Sequence, residues 1–375
     1  MIVPAIAGSN AAIPSLAEQS AARLVEAEPC VTVVIPVFNK WPLTGRCLRS
    51  LFACDPDVAL QVVVVDDGST DATQINLASL PGVEVVCNGD NRGFVDSCNR
   101  GAALARGRFI LFLNNDTQLQ YGALRSLVRR MTRSERIGVV GSKLIYPDGR
   151  LQEAGNIVWS DASGWNYGRS DVAEKYEYNF TRDVDYVSGA SLLIRTELFR
   201  SVGGFDAQFS PGYYEDADLC FAVRALGQRV VYEPASVVVH YEGMSAGTDM
   251  TAGMKRFQVI NQAKFAAKWA TVLKTEHLAA RLENVFRAAR LRHRHERAVL
   301  VIDSYVPLYD KEAGSNRLKR LVNGMRDAGL RIVFLPDNLM AIKPYAQQLQ
   351  SDGVEVVYQL EDHRRPWQEF LVEVL

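Results

Sequence analysis

Carboxylate and amide side chains follow two apolar segments of the sequence, at the points where those segments end. The segment "FILFLNND" ends in Asn114, Asn115 and Asp116, and the segment "LQVVVVDD" ends in Asp66 and Asp67. Oxygen atoms of this kind are the ligands that hard divalent cations such as Mg²⁺ and Mn²⁺ prefer. A polar cluster at the end of a buried strand costs free energy unless a ligand or hydrogen bonds satisfy it. These positions therefore predict a site for a cation and for the phosphate oxygens that a cation neutralises.

A second acidic group, Glu215, Asp216 and Asp218, precedes the apolar residues of "LCFAVRALG". A carboxylate can take a proton from a hydroxyl group as a general base. Acidic residues at a helix start are also favoured by the helix dipole, and we assign this simpler role to Asp218. His240 ends the apolar segment "ASVVVH". An imidazole together with a carboxylate suits Mn²⁺ or Mg²⁺, whereas a lone histidine after a strand is commonly a surface residue.

The composition describes an ordinary globular protein with room for two domains. The 375 residues are 48% hydrophobic and 23% charged, and the net charge of −1 gives no support for a nucleic-acid partner. The six cysteines form no CxxC pair, which is typical of a reduced intracellular protein. No apolar run approaches the roughly 20 residues that cross a bilayer, and the N-terminus lacks a basic leader region. We therefore expect a cytoplasmic protein with a loosely held, Ala-rich extension at residues 1–28.

Apolar β-branched segments alternate with helical patterns along the first third of the chain. The predicted strand segments lie at 31–39, 60–71, 82–88 and 109–115, with helices between them. This βαβαβαβ order predicts a doubly wound α/β sheet with parallel strands. Ligands of such sheets bind outside the carboxyl ends of the strands, where the sequence places Asn39, Asp66–Asp67, Asn88 and Asn114–Asp116. These polar strand ends are expected to meet at one edge of the sheet.

The pattern changes after Asp116. A helix, a strand with a hairpin and an aromatic, loop-rich region at 150–180 follow, and "RVVYEPASVVVHYEG" predicts two short strands that close the sheet. The aromatic residues of the loop-rich region suit stacking on a sugar-like acceptor and plain packing about equally; they are Trp159, Trp165, Tyr167, Tyr176 and Tyr178. Residues 255–297 are predicted helical and become basic. From Val299 a second βαβαβ pattern begins and runs to Leu375.

Several of these segments together resemble family 2 glycosyltransferases with the GT-A fold, and most closely the rhamnosyltransferase and galactofuranosyltransferase-like branch. The resemblance rests on "VTVVIPVFN", "VVVVDDGSTD", "NRGFVDSCNRGA", "FLNNDT", "VSGASLLIR", "GGFDAQF" and "YYEDADLCFAVRALG" in that order, and covers residues 30 to 270. It implies a Rossmann-like mixed sheet flanked by helices. It also implies an inverting, metal-dependent transfer of a sugar from a nucleotide diphosphate to a hydroxyl group.

The resemblance divides the chain into a GT-A domain at 29–270, a basic helical linker at 271–297 and a partial domain at 298–375. The last segment, a partial Rossmann-like βαβ unit, resembles the start of a family 4 glycosyltransferase domain of the GT-B class, and we assign no activity to it alone. The basic segment 281–297 is read first as an interdomain helix with a solvated face. A peripheral membrane contact at the inner face of the membrane is the second interpretation.

The resemblance also assigns roles at the cation site. Asp116 and His240 would hold Mn²⁺ or Mg²⁺, Asn114 would contact the ribose or a metal-bound water, and Asn115 would lie in the donor site. Here "NND" replaces the Asp-x-Asp motif of the family, so only one carboxylate remains. The simpler interpretation of "NND" is an Asx turn at a strand end. The surrounding motifs favour the cation site.

For the nucleotide, the resemblance assigns Asp67 to the imide N–H of uracil or thymine, with Asp66 nearby. Cytosine has no hydrogen on N3 and would be excluded. Ser69 or Asp71 could instead cap the next helix, and both readings hold if Gly68 forms the turn and Asp67 stays free. The remaining donor-side residues would frame the base, the ribose and the donor sugar; they are Pro36, Phe38, Asn39, Asn91, Arg92, Gly93 and Gly189.

At the other end of the site the resemblance assigns the general base to Asp216, with Glu215 positioning the acceptor or the base. The predicted partners are a UDP- or dTDP-linked sugar, with rhamnose as one donor, and a glycan, lipid-linked or protein acceptor. A nucleotide-sugar-binding module without transfer activity is the alternative, because the single carboxylate weakens the metal site. A dinucleotide-dependent oxidoreductase is disfavoured, because no GxGxxG follows the first strand. The identity of the acceptor and the oligomeric state stay open.

Overall fold

The computed structural model describes residues 15–21, 28–242, 256–290, 292 and 297–358. It contains a ten-stranded mixed sheet, a three-stranded parallel sheet and a two-stranded hairpin. The strands of the large sheet and the hairpin are β1 (Val31–Val37), β2 (Leu60–Asp66), β3 (Val83–Cys87), β4 (Phe109–Leu113), β5 (Thr117–Leu119), β6 (Ile137–Ile145), β7 (Leu151–Glu153), β8 (Asn156–Val158), β9 (Gly164–Asn166), β10 (Arg182–Asp183), β11 (Ser191–Arg195) and β12 (Arg229–His240).

The large sheet has the order β10-β12-β6-β11-β4-β1-β2-β3, with β5 on β12 and β7 on β6. Strands β4, β1, β2 and β3 pair in parallel, as the alternating pattern predicts. Strand β11 is antiparallel to both β4 and β6, so β6 and its parallel partner β12 run in the same direction as β4. The carboxyl ends of β1, β2, β4 and β12 and the residues before β11 therefore lie at one edge of the sheet.

Helices cover both faces of this sheet and are held by two apolar clusters. The helices of this unit are α1 (Leu16–Ala21), α2 (Trp41–Cys54), α3 (Thr73–Ala78), α4 (Phe94–Ala103), α5 (Ala123–Thr132), α6 (Thr196–Ser201), α7 (Glu215–Ala225), α8 (Arg256–Lys268), α9 (Ala270–Glu276) and α10 (Val285–Ala288). Helix α4 lies close to the sheet because Gly101 has no side chain. A Cβ atom there would lie 2.5 Å from Val34 Cγ1, so the small residues of α4 set its distance from β1.

Three predictions for this unit differ from the structure. The segment "RVVYEPASVVVH" is one strand, β12, with an irregularity in its register between Glu233 and Val237. In "YVSGASLLIR" only Ser191–Arg195 are a strand, and the preceding residues form a turn. Residues Leu16–Ala21, within the predicted loosely held extension, form α1, and Leu16 packs in the core. The other residues of that extension, apart from Ser15 and Glu28, lie outside the described part of the chain.

The aromatic region 150–180 packs mainly into the interior. Trp159 is fully buried, and Tyr167, Tyr176 and Tyr178 are buried as well. Their rings form edge-on pairs, with Trp159 and Trp165 at 5.0 Å between centroids and Tyr167 and Tyr178 at 5.1 Å. These pairs stabilise the loops beyond simple burial. Packing therefore accounts for most of this aromatic content, and Trp165 alone of the five predicted residues is half-buried.

The prediction of one continuous basic helix over 281–297 is wrong. Helix α9 ends at Glu276, and only a short 3₁₀ turn and α10 follow before residue 290. Arg290 is buried and forms an ion pair with Glu355, and Arg292 lies 2.7 Å from Asp185. These two arginines neutralise interior carboxylates, since buried charges require partners, and so they do not belong to a solvated face. No described helix is long and apolar enough to span a bilayer.

The second sheet consists of β13 (Ala298–Asp303), β14 (Arg331–Pro336) and β15 (Glu355–Val356), with helices α11 (Ala313–Asp327) and α12 (Tyr345–Ser351). All its pairings are parallel, and it has its own apolar cluster. It contacts the first unit through polar groups, including the Thr181 amide, which donates to the Gln350 carbonyl at 3.0 Å. Its relation to GT-B glycosyltransferases stays a prediction.

Candidate active site

Asp116 and His240 lie side by side at the carboxyl edge of the large sheet. Thr117 of β5 pairs with His240 of β12, and the Tyr241 amide donates to the Asp116 carbonyl at 2.9 Å. This pairing brings the His240 Nε2 atom to 3.2 Å from Asp116 Oδ1. Both side chains are buried. Two residues far apart in the sequence thus present one nitrogen and one oxygen donor at the same place.

The donor atoms of this pair fit a divalent cation. Adjacent ligands in an octahedral shell with metal–ligand distances of about 2.1 Å lie about 3 Å apart, close to the separation of these two atoms. Within the described residues, no cluster of three or more His, Cys, Asp and Glu side chains could hold a metal ion. A cation here would therefore take two protein ligands and complete its shell with oxygens from a ligand or from water.

The two asparagines before Asp116 have different environments. Asn115 is buried and its amide donates to Thr44 Oγ1 at 3.1 Å, which ties the turn to α2. Asn114 is half-buried, and its side-chain amide has no hydrogen-bond partner in the described part of the chain. Its main-chain N–H donates to Ala190 and its carbonyl accepts from Thr117. The Asn114 amide is therefore the one of the two that a ligand can reach.

Asp66 and Asp67 hold the loops beside the predicted base site. Both are buried, and Asp66 accepts hydrogen bonds from the Ser69 amide at 3.1 Å and from Gln74 at 2.6 Å. Asp67 accepts from the main-chain amides of Arg92 and Gly93, both at 2.9 Å. The prediction that Asp67 stays free is therefore wrong, because the chain returns to β2 just before α4 and places two amides on this carboxylate.

A carboxylate has about four acceptor positions. Besides the two main-chain amides, Asp67 accepts from the Asn88 side chain at 2.6 Å. One acceptor position therefore remains for an imide N–H. Gly68 has a left-handed φ of +80°, and a Cβ atom there would lie 2.9 Å from the Asp90 main chain, so the turn requires glycine as predicted.

Strand β1 is followed by a turn that hydrogen bonds hold in place, and the aromatic ring of Phe38 beside it is exposed. Asn39 has φ of 57°, and its side-chain oxygen accepts from the amides of Thr70 and Asp71 at 2.7 and 3.2 Å. Phe38 beside it is 47% exposed, and Pro36 of β1 is half-buried. An exposed aromatic face at a strand end offers a stacking surface for a planar base.

Residues 91–93 connect this region to α4. Asn91 and Arg92 are exposed, whereas Gly93 is buried with φ of +89°. A Cβ atom at Gly93 would lie 2.4 Å from Pro211, so the loop before α7 sits directly on this turn. The start of α4 therefore contacts both the predicted base site and the segment that leads to the predicted general base.

Asp216 lies at the start of α7 and is held by main-chain amides. Its Oδ2 accepts from the Gly189 amide at 3.0 Å and its Oδ1 from the Ala217 amide at 2.7 Å. Tyr213 and Tyr214, just before α7, both have left-handed φ values, 74° and 72°. Such strain is retained where the surroundings impose it, often at functional sites. Burial raises the pKa of Asp216 above its ordinary value.

Glu215 has a different environment from its neighbour. It is buried, and its Oε2 atom has no hydrogen-bond partner among the described residues. Burial, and then the charge of Asp216, raise the pKa of Glu215 well above the ordinary glutamate value. Burial and the charge of Asp216 thus favour the protonated form of Glu215, whereas the two amide hydrogen bonds favour the ionised form of Asp216. Asp218, in contrast, accepts from Lys268 and from Trp269, both at 2.8 Å, as an anchor between helices.

Glu153 of β7 is a third carboxylate at this end, and the sequence patterns did not identify it. It is 2% exposed, and it accepts from the Ser188 amide at 3.3 Å and from the Asn166 side chain at 2.8 Å. The next amide of the same turn, Gly189, is the one that donates to Asp216. Burial, and then the charge of Asp216, raise the pKa of Glu153 to about 7. Its only sequence signal was a charged residue in the short segment "LQEAGN" after the hairpin.

Comparison with known proteins identifies the family and the fold that the chain resembles. Residues 32–202 match the family model "Glycosyl transferase family 2". This segment, just under half of the chain, is similar to the glycosyltransferases of family 2. The sheet also superposes on the structure of GalNAc-T7 with UDP, GalNAc and Mn²⁺, with a TM-score of 0.52 and 17% identity over 67% of this chain and 50% of that one. At that identity the likeness shows the fold alone, and it confirms the predicted GT-A fold.

Three curated relatives of this part of the chain come from bacteria. The chain is 28% identical over 246 residues to an N-acetylglucosaminyl-diphospho-decaprenol L-rhamnosyltransferase of Mycobacterium tuberculosis, covering 58% of this chain and 80% of that protein. It is 29% identical over 234 residues to the O-antigen biosynthesis protein RfbC of Myxococcus xanthus, covering 60% of this chain and 18% of that one. An uncharacterized protein y4gI of Sinorhizobium fredii, 28% identical over 239 residues and 60% of this chain, is matched over 26% of its length. The chain therefore spans only about a quarter or less of two of these relatives.

Proposed function

We propose that the glycosyltransferase domain transfers a sugar, with inversion, from a nucleotide diphosphate to a hydroxyl acceptor in the synthesis of a polysaccharide, glycolipid or glycoprotein. The observation that supports this most directly is the pair formed by Asp116 Oδ1 and His240 Nε2, 3.2 Å apart, at the edge that also presents Asp216. One end offers donors for a cation and the other a hydrogen-bonded carboxylate. A diphosphate leaving group and a hydroxyl nucleophile need these two groups.

On the donor side, Asp116 and His240 would hold Mn²⁺ or Mg²⁺, which when bound neutralises charge on the diphosphate. The free Asn114 amide would contact the ribose or the ion's water. Phe38 and Pro36 would border the base, and the remaining acceptor position of Asp67 would receive the imide N–H of uracil or thymine. Asn115, Asp66, Asn39 and Gly93 would act by fixing the loops, since their polar groups or close contacts are already occupied.

On the acceptor side, Asp216 would accept the hydroxyl proton while the oxygen attacks the anomeric carbon. The Gly189 and Ala217 amides keep this carboxylate ionised and oriented. Glu215 would hold the neighbouring proton, and Gly189 would form the floor beside the donor sugar, with its Cα hydrogen towards Phe94. The names of the bacterial relatives support rhamnose as a donor sugar and a glycan or lipid-linked acceptor. The UDP or dTDP link of the donor follows from the imide contact proposed for Asp67.

A thermal-shift series tests the donor side. UDP, dTDP, GDP and CDP are each added with Mn²⁺, with Mg²⁺ and with a chelator, to the wild type and to Asp116→Asn. We expect UDP or dTDP to raise the Tm by a few degrees only with a cation, as ligand linkage requires, and this rise to disappear in Asp116→Asn. A cation-independent shift, equal shifts for all four nucleotides, or an unchanged shift in the variant would contradict the proposal. Release of the nucleotide diphosphate from the donor that binds best then measures transfer.

A further inference from the structure

The side-chain amide of Gln152 lies between His240 and Glu242. Gln152 Oε1 is 3.1 Å from His240 Nδ1, and Gln152 Nε2 donates to Glu242 Oε2 at 3.1 Å. Gln152 reaches this place because β7 bulges. Leu144 pairs with Glu153 and Ile145 pairs with Leu151, so Gln152 is the extra residue between two paired ones. Bulges of this kind redirect side chains and are frequent beside active sites.

The carboxylate of Glu242 determines which way this amide points. A carboxylate only accepts hydrogen bonds, and Glu242 Oε2 also receives the Tyr146 hydroxyl at 3.0 Å and Arg169 Nη2 at 2.8 Å. The NH₂ group of Gln152 must therefore face Glu242, and its oxygen must face the imidazole. An oxygen in that position requires a hydrogen on His240 Nδ1.

The orientation of the amide has a consequence at the opposite nitrogen of the ring. A neutral imidazole has one N–H, and the other nitrogen has a free lone pair. With the hydrogen on Nδ1, the lone pair on Nε2 faces Asp116 Oδ1 across 3.2 Å. A nitrogen lone pair and a carboxylate oxygen in this arrangement are both suited to bind a cation placed between them. The hydrogen bond on the far nitrogen thus decides whether His240 can be a metal ligand.

We propose that Gln152 and Glu242 are positioning residues that hold His240 in the Nδ1–H tautomer and so leave Nε2 to the cation. This inference rests on the proposed cation site of Asp116 and His240, and it adds two residues that do not touch the ion. We call these two hydrogen bonds the relay; it runs from the Glu242 carboxylate through the Gln152 amide to the His240 imidazole.

An exchange of the two side chains tests the relay. In Glu242→Leu the carboxylate that accepts from the Gln152 amide is lost, so that the amide can turn its NH₂ group towards Nδ1 and the hydrogen can move to Nε2. We expect this variant to bind Mn²⁺ in the presence of UDP about 10- to 100-fold more weakly. Gln152→Leu, which removes the acceptor, should lose a similar factor. In the double variant Gln152→Glu with Glu242→Gln, the carboxylate again accepts from Nδ1–H, and affinity should return to within about threefold of wild type.

Mn²⁺ affinity is measured from the electron paramagnetic resonance signal of the free ion, which does not depend on turnover. Arg169→Met is the matched control, because it removes an exposed donor to Glu242 and leaves the carboxylate in place; its affinity should stay unchanged. Melting curves of all variants show that they are folded. Nitrogen-15 shifts of the histidine ring with Mg²⁺ and UDP give a second readout, since the relay requires the hydrogen on Nδ1 in the wild type.

The possible outcomes separate this inference from the proposed function. If the wild type binds no Mn²⁺ with UDP, the proposed cation site itself is wrong. If the wild type binds Mn²⁺ and Asp116→Asn does not, the site stands. In that case, wild-type affinity in Gln152→Leu or Glu242→Leu, or a double variant as weak as Gln152→Leu, would overturn the relay.

Discussion

The two ends of the candidate active site use carboxylates in opposite ways. At the cation end, Asp116 faces the ring nitrogen of His240 at 3.2 Å, and the two atoms suit a positive charge between them. At the base end, Glu153 and Glu215 are buried and Asp216 is half-buried, and desolvation raises the pKa of all three. The same side-chain chemistry therefore suits a cation at one end and a proton at the other, because the neighbouring groups differ.

The hydrogen bonds of the two neighbouring carboxylates at this end, Asp216 and Glu215, also differ. Asp216 accepts two main-chain amides, whereas Oε2 of Glu215 has no partner in the described part of the chain. Amide donors stabilise the ionised form of a carboxylate, and burial without donors stabilises the neutral form. The two adjacent acidic residues are therefore suited to different roles, Asp216 to that of the base and Glu215 to that of a neutral acid. This contrast predicts how substitutions at the three carboxylates should differ.

The largest effect is expected for Asp216→Asn. Asparagine keeps an oxygen for the Gly189 amide but cannot take a proton, so kcat should fall about 10³-fold. Binding of the nucleotide with Mn²⁺ should be unchanged, because the cation end is intact. Rates of diphosphate release and the Mn²⁺-dependent thermal shift measure the two quantities.

Asp218→Asn is the matched control for that variant. Asp218 lies in the same turn of α7 but accepts from Lys268 and Trp269, so its loss should cost about 1 to 3 kcal/mol of stability and change kcat by less than about threefold. An Asp216→Asn enzyme with wild-type kcat would remove Asp216 as the base. Donor binding without transfer in the wild type would favour a nucleotide-sugar-binding module instead.

The next effect concerns stability at Glu153. Its pKa is raised from 4.5 to about 7 in the folded protein, so between these values the folded state keeps a proton that the unfolded state has lost. The free energy of unfolding therefore contains a contribution that is complete below pH 4.5 and is lost as the pH rises through 7. Glu153→Gln should abolish this loss, on the order of 2 kcal/mol between pH 5 and pH 8.

Urea unfolding at several pH values measures this difference. The relevant quantity is the change with pH in each protein, because the substitution also alters the hydrogen bond with Asn166. Glu283→Gln serves as a control, since the Glu283 side chain is 72% exposed and lies at the surface beside Arg281. Parallel pH curves for wild type and Glu153→Gln would show that Glu153 is not protonated near neutral pH.

Much of this arrangement could be predicted from the sequence, because it follows from local patterns. The β-branched runs that became β1, β2 and β4 are continuous and end in polar residues, and a parallel sheet brings such ends together. Helix α2 has the bounds of its apolar pattern, Trp41–Cys54. The direction of the strands alone is enough to predict that Asp66–Asp67 and Asn114–Asp116 converge at one edge of the sheet.

The features that the sequence did not predict depend on contacts between distant segments. Asp67 accepts a hydrogen bond from the main-chain amide of Arg92, which lies 25 residues later in the sequence, and no local pattern predicts the course of that loop. The bulge at Gln152 arises from the register of β7 on β6, and Glu153 approaches Asp216 only after β11 and α7 are in place. Likewise Arg290 belongs to a basic run in the sequence but is buried against Glu355 of the second sheet.

The smallest effect is expected for Glu215→Gln, and it is the sharpest test of the contrast between the two neighbours. Because burial and the charge of Asp216 raise the pKa of Glu215 well above its ordinary value of 4.5, the side chain that keeps its proton has nearly the shape and charge of glutamine, and kcat should change by less than about threefold. As the pH rises above 4.5, the unfolded wild type releases a proton that the folded protein retains, so the free energy of unfolding falls, whereas Glu215→Gln has no such loss. Unfolding free energies measured at pH 4.5 and at higher pH should therefore diverge in favour of Glu215→Gln. A fall in kcat as large as that of Asp216→Asn would instead place the ionised, proton-accepting carboxylate on Glu215, and the amide hydrogen bonds of Asp216 would then serve only to fix the turn.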